Sequence, residues 1–262
     1  LLRLLGRAEE SLAVLEAADV RDARWHSELG EAFYRAGMYR DAATHFYATA
    51  RMPGMSVIDR ASATMQSGGA LFMAGDLVPA MEAFSAGVAV FERLGAEHAL
   101  AVCLGNLGEA ARRLGHLGSA RQSYQRAILK AEEYEQLPML ALQLSNMAAL
   151  ELTESHVDAA LALVERAEEV HRVHELPWHA ELALHRLRVD FARGQGMVLS
   201  DLHDVVQKAK EVGELGVVAE VLLLECQVLH DRHELELPLL RQRMEQAMQP
   251  LVSHGRGAEL AE

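Results

Sequence analysis

Residues 104–127 read LGNLGEAARRLGHLGSARQSYQRA. Small residues stand at Gly108 and Ala120, larger ones at Leu104, Leu107, Leu117 and Tyr124, and Gly115 separates the two halves. This spacing predicts two short antiparallel helices joined at Gly115. The pattern returns at a fixed distance. Moving back 40 residues turns Gly108 into Gly68, Gly115 into Gly75, Ala120 into Ala80 and Tyr124 into Phe84. Moving forward 40 turns Asn106 into Asn146, His116 into His156 and Ala120 into Ala160. A helical hairpin repeated at such a period cannot bury its apolar face alone, so the hairpins must stack into one continuous core.

Working outward, units are expected at about 22–54, 55–94, 96–136, 137–175, 177–213 and 214–253. The first has Leu29, Gly30 and Phe33 on one helix, Gly37 at the turn, and Tyr39, Ala42 and Phe46 on the next. Turns follow at Gly75, Gly115, Ser155 and Gly194-Gln195-Gly196, and the divergent sixth unit should turn between 230 and 237. Residues 1–18 look like the second half of a further repeat whose first helix would precede residue 1, so the chain is expected to be part of a longer protein. Residues 254–262 read as a frayed tail. Pro138, Pro177 and Gly216 lie 39 apart and mark successive unit starts.

The net charge of −13 argues against nucleic acid and anionic membrane surfaces as direct partners. Half the residues are hydrophobic, yet no apolar run approaches the roughly 20 residues of a membrane span. Cys103 and Cys226 have no metal or redox spacing and fall in apolar helical stretches, which predicts buried, reduced thiols and a cytoplasmic setting. Motifs for a nucleophile elbow, a zinc protease, a phosphate loop or a dinucleotide fold are absent from the sequence. The expectation is a non-catalytic protein without a cofactor. His171 and His174, with His179 and His185 beyond them, and His230 with His233, offer i, i+3 pairs, but spacing supplies no third metal ligand.

The pattern resembles the tetratricopeptide repeat, whose signature is a Leu-Gly pair, an aromatic residue, a turn Gly, then Ala, aromatic, Ala. Leu29-Gly30-Phe33-Gly37-Ala42-Phe46 and Leu107-Gly108-Gly115-Ala120-Tyr124-Ala127 carry it, Gly68-Leu71-Gly75-Ala80-Phe84 carries it with substitutions, and the fourth unit has Val164 for the aromatic. The spacing of about 40 is similar to the long repeats of kinesin light chains, Leu-Gly-Asn polarity adaptors and bacterial activators of the maltose-regulator type. The resemblance implies an all-α, right-handed superhelix of about six helix pairs with a leading half repeat. It also implies a concave groove, lined by the first helices, that binds peptides or proteins.

Groove positions follow from that resemblance. Gln66, Asn106 and Asn146 stand 40 apart on successive first helices, where an amide can both donate to and accept from an extended peptide backbone. The row continues less cleanly at His185 or Arg186. Tyr34 and Arg35 in the first unit, Met65, Phe72 and Met73 in the second, Glu109, Arg112 and Arg113 in the third, and Thr153 beside Leu152 in the fourth complete the set. Met65, Phe72 and Met73 suggest an adaptable apolar pocket. Arg112 and Arg113, near His116 and Arg121, suggest a cationic spot for a ligand carboxylate. The function expected is a peptide- or protein-binding scaffold, the sensing or docking part of a larger bacterial regulator. Alternatives are a small-molecule effector sensor and a structural oligomerisation arm, a homodimer for example, whose contact covers the groove; pairing through the face of Leu4, Leu12 and Leu15 would be an artefact of truncation.

Overall fold

The computed structural model describes residues 15, 21–194, 199–231, 239, 242 and 245. Most of the expected leading half repeat, Gln195 and Gly196, most of the sixth unit's second helix and the tail lie outside the described residues. The chain divides into two compact units, Leu1–Met139 and Leu140–Glu262.

The described chain is all-α, with helices α1 (Ala23–Arg35), α2 (Tyr39–Arg51), α3 (Val57–Met73), α4 (Leu77–Leu94), α5 (Glu97–Arg113), α6 (Leu117–Glu133), α7 (Leu137–Thr153), α8 (Val157–Val173), α9 (Ala180–Ala192), α10 (Leu199–Val212) and α11 (Leu215–Asp231). In the first unit each of α1 to α5 packs on its successor, and α3 also touches α5. In the second, α8 packs on α9, α9 on α10 and α11, and α10 on α11.

The turns inside the pairs share one construction. Gly37, Gly75, Gly115, Ser155 and Gly194 have φ of 78°, 83°, 77°, 62° and 66°. In the first four, the next residue's N–H reaches back to the preceding helix: Met38 to Phe33 O, Asp76 to Leu71 O, His116 to Ala111 O and His156 to Glu151 O, at 2.8–2.9 Å. This left-handed cap satisfies carbonyls that a helix end leaves unpaired. Ser155 adopts it without glycine's freedom, as do Glu135 and Glu175 at the turns between pairs.

Within each of the first three pairs, a glycine receives an aromatic ring. A Cβ on Gly30 would lie 2.9 Å from Phe46 ring atoms, one on Gly68 3.0 Å from Phe84, and one on Gly108 2.7 Å from Tyr124. Phe46, Phe84 and Tyr124 are buried, as are Ala42, Ala80 and Ala120. In the fourth unit the equivalents are Ala148 and Val164, both buried. A larger small residue there accompanies a smaller partner, which keeps the volume nearly constant. Cys103 and Cys226 are buried and not joined in a disulfide, and burial pushes the Cys103 thiol up to about 12.

A second aromatic group seals α1 on α2. Trp25, capped in place by Asp22, meets His26 and His45 edge-on, and Phe33 stacks on His45. The two Nδ1 atoms of His26 and His45 lie 3.1 Å apart, so one proton serves both. Burial, with Arg21 adding to it at His26 and His26 adding to it at His45, lowers both imidazoles below the ordinary histidine value, while Asp22 and Asp41 oppose the shift.

Two outcomes are expected. Gly108→Ala forces its new Cβ into Tyr124 and lowers stability by about 1–3 kcal/mol, read from thermal or urea unfolding. The lowered imidazoles favour the neutral fold, so stability is complete above the unfolded histidine pKa of about 6.5 and declines as pH falls through it; thermal unfolding on either side of that pH, compared with His45→Asn, shows a flatter profile in the variant.

Candidate functional site

The face of interest runs along the first helices. On α5, Asn106, Glu109 and Arg113 are spaced i, i+3, i+7 and share one side; on α3, Gln66 and Met73 share the corresponding side. Asn106 is half-buried and Gln66 exposed. In the second unit, Asn146 of α7 is half-buried. Among the described residues, none of these three amides makes a side-chain hydrogen bond within the chain. A half-buried amide left without a protein partner keeps its donor and acceptor for something else.

His185 is buried, with Nδ1 2.8 Å from the Ser145 hydroxyl, and Arg186 pairs with Glu168 across α8 and α9. The Ser145–His185 contact is itself sealed away, so it offers no nucleophile to a substrate. Of the histidines singled out as metal candidates, His171 and His179 lie together with ring centroids 6.0 Å apart, while His185 is engaged with Ser145 and His233 lies outside the described residues. A different trio, Glu151, Glu154 and His156, places one ligand atom from each within 4.8 Å, and His156 Nδ1 lies 2.9 Å from Glu151 Oε2.

The charged positions form a centre of their own. Glu109 accepts from Arg112 Nε at 2.8 Å and Nη2 at 2.7 Å, from Arg113 Nε at 2.8 Å and from the Tyr124 hydroxyl at 2.8 Å. Burial alone would raise the Glu109 carboxyl, but these donors outweigh it and hold it below the usual carboxylate range. Burial and the neighbouring Glu109 charge push the Tyr124 phenol far up, so it stays a donor. The Arg113 guanidinium lies over the Phe72 ring, 4.3 Å from its centroid, tying α5 to α3. The expected cationic spot is thus one net positive charge: two arginines share one internal carboxylate.

The remaining candidates divide between core and surface. Met65 and Phe72 pack against the buried cluster around Phe84 and Leu104, whereas Met73 is 47% exposed. Tyr34 packs against the buried cluster of Ala42, Ala43, Phe46 and Ala70 and meets Tyr39 edge-on. Arg35 pairs with Glu31 on the surface, and the Thr153 hydroxyl donates to Ala149 O in its own helix. No helix among the described residues is long and apolar enough to cross a membrane.

Paired helices, three of the pairs with a glycine facing an aromatic ring, define the fold as tetratricopeptide-like helical repeats. Solved structures share it. Aspartyl phosphate phosphatase F from Bacillus subtilis matches with a TM-score of 0.74 at 12% identity, over 90% of this chain and 62% of that one. The Rap conjugation gene regulator of the plasmid pLS20, solved with its Phr* peptide, matches with a TM-score of 0.72 at 15% identity, over 98% of this chain and 71% of that one. TPR-like repeats of a kinesin light chain from Podospora anserina match with a TM-score of 0.59 at 16% identity, over 73% of this chain and 96% of that one. This chain therefore spans less than two thirds of the phosphatase structure. No protein-family model matches the chain, and no curated protein matches it in sequence.

Removing the Tyr124 hydroxyl tests the charged centre. Tyr124→Phe is expected to lower stability by about 1.5–3 kcal/mol, the range for a hydrogen bond to a charged group, and Glu109→Ala by more, since it strands Tyr124 and both arginines; chemical unfolding monitored by circular dichroism measures both.

Proposed function

We propose that this chain is a non-catalytic scaffold that binds an extended polypeptide segment along its first helices. The observation that carries the reading is the set of unpartnered amides, Gln66 and Asn106 in the first unit and Asn146 in the second. Equal spacing along the sequence suits a ligand whose own donors and acceptors repeat, as a peptide backbone does. Arg113, anchored on Phe72 and left partly exposed, adds a place for a ligand carboxylate. The exposed Met73, next to Phe72 in sequence, adds an apolar contact. The peptide complex of the pLS20 regulator supports the reading, because a protein of the same fold holds a peptide. We further infer a role as the sensing or docking part of a larger bacterial regulatory protein, with a protein or peptide as partner and a cytoplasmic setting.

The test begins with a library of linear peptides panned against the whole chain, followed by calorimetric titration of selected sequences. Each net hydrogen bond contributes about 0.5–1.5 kcal/mol, so the Gln66→Ala, Asn106→Ala pair is expected to weaken binding by roughly five- to 150-fold, with circular dichroism unchanged. Unaltered affinity in both that pair and Asn146→Ala would reject the amide row as the binding element.

A further inference from the structure

A cleft of about 400 Å³ opens in the second unit between the end of α8 and the start of α9, lined by Glu168, His171, Leu176, Trp178, His179 and Leu182 among others. Its origin is a missing helical turn. The first helices α3, α5 and α7 start at Val57, Glu97 and Leu137 and each has 17 residues. The same register would start the next one at residue 177. Instead Pro177 and Trp178 stay outside the helix, and α9 begins at Ala180 with only 13 residues. His179 supplies the cap, its Nδ1 accepting from the Leu182 N–H at 3.3 Å. The space a first turn would fill stays open, and Trp178 is 38% exposed at its edge.

The lining is aromatic and apolar, and its charges are already matched. Trp178 and the imidazoles of His171 and His179 supply ring faces, and Leu176 and Leu182 an apolar wall. Glu168 is engaged by Arg186, and Arg172 by Glu169. Because Nδ1 of His179 accepts the cap hydrogen bond, its proton sits on Nε2. Burial, together with His171, lowers this imidazole and keeps it neutral near pH 7. An open cleft of this size, with an indole and two imidazoles beside an apolar wall and with both of its charged side chains paired to neighbours, suits a small planar ligand.

We propose that this cleft binds a single uncharged aromatic ring that carries a hydrogen-bonding edge, stacked against Trp178. The ring belongs either to a side chain of a bound polypeptide or to a free small molecule. The proposal does not depend on the amide row, which lies on other helices.

The chain contains two tryptophans, Trp25 and Trp178, so a ¹⁵N-labelled sample gives two indole N–H signals, assigned with Trp178→Phe. The compounds to add are p-cresol, N-acetyl-tyrosinamide and, as a non-aromatic control, cyclohexylmethanol. The expected result is saturable movement of the Trp178 signal with the two aromatic compounds alone, with the Trp25 signal fixed. Ala183→Leu, which fills the cleft, is expected to weaken p-cresol by about tenfold or more. Tighter binding of N-acetyl-tyrosinamide assigns the ring to a polypeptide, and tighter binding of p-cresol assigns it to a free molecule. Absence of saturation, an equal response to cyclohexylmethanol, or undiminished binding in a folded Ala183→Leu overturns the proposal. Should that variant fail to fold, saturation transfer to p-cresol decides through Trp178→Leu: loss supports the ring site and retention overturns it.

Discussion

The contact between a glycine and an aromatic ring inside each of the first three helix pairs sets the spacing of what surrounds it. With only a hydrogen at Gly108, α5 approaches Tyr124 closely enough that an added Cβ would overlap its ring. The ring then lies buried at the heart of the pair, and Ala120 and Ala127 on the same helix can be no larger without displacing it. Packing on this scale fixes the rotation of α5 about its axis. That rotation turns Leu100, Leu104 and Ala111 inward and leaves Asn106 only half covered. The binding face is thus a by-product of how the core closes.

Tyr124 links that core to the surface chemistry. Its ring fills the space at Gly108 while its hydroxyl reaches Glu109, one residue further along the partner helix. Glu109 is shared with two arginines, and one of these lies on Phe72 of the preceding pair. Core packing, charge balance and contact between neighbouring pairs therefore run through a few adjoining side chains. A half-buried carboxylate with three donor groups is well satisfied, and removing any one leaves a costly imbalance. The amides carry no charge and no internal partner, so they are the groups on this face with most to gain from a ligand.

Much of the fold can be read in the residues because its rules are local. A glycine or serine at 37, 75, 115 and 155 marks a backbone that must turn left-handed, and the small–aromatic spacing is identical in three units. The pairing of Arg112 and Arg113 was visible in principle: Glu109 stands three and four residues before them, the spacing of helical neighbours. Tyr124 was harder to place. Its hydroxyl crosses between helices, and only the substitution of Tyr for the Phe of other units hinted at a polar partner. The partial burial of Met65 and Phe72 also depends on packing, since an apolar side chain on a first helix reads alike whether it faces core or ligand. Pro177 read as the start of a unit, but it stands before a helix that begins three residues late.

Helices α3, α5 and α7 begin 40 residues apart, as do α4, α6 and α8. Left-handed residues at Gly95, Glu135 and Glu175 keep the same interval. The junctions at Gly95 and Glu135 therefore offer the same backbone geometry to the helix that follows, whereas the one at Glu175 leads into a helix that begins three residues late. A gene encoding such a chain could gain or lose a whole module by recombination without needing a new joint, so the reach of the molecule would change in discrete steps while its local chemistry carried over intact.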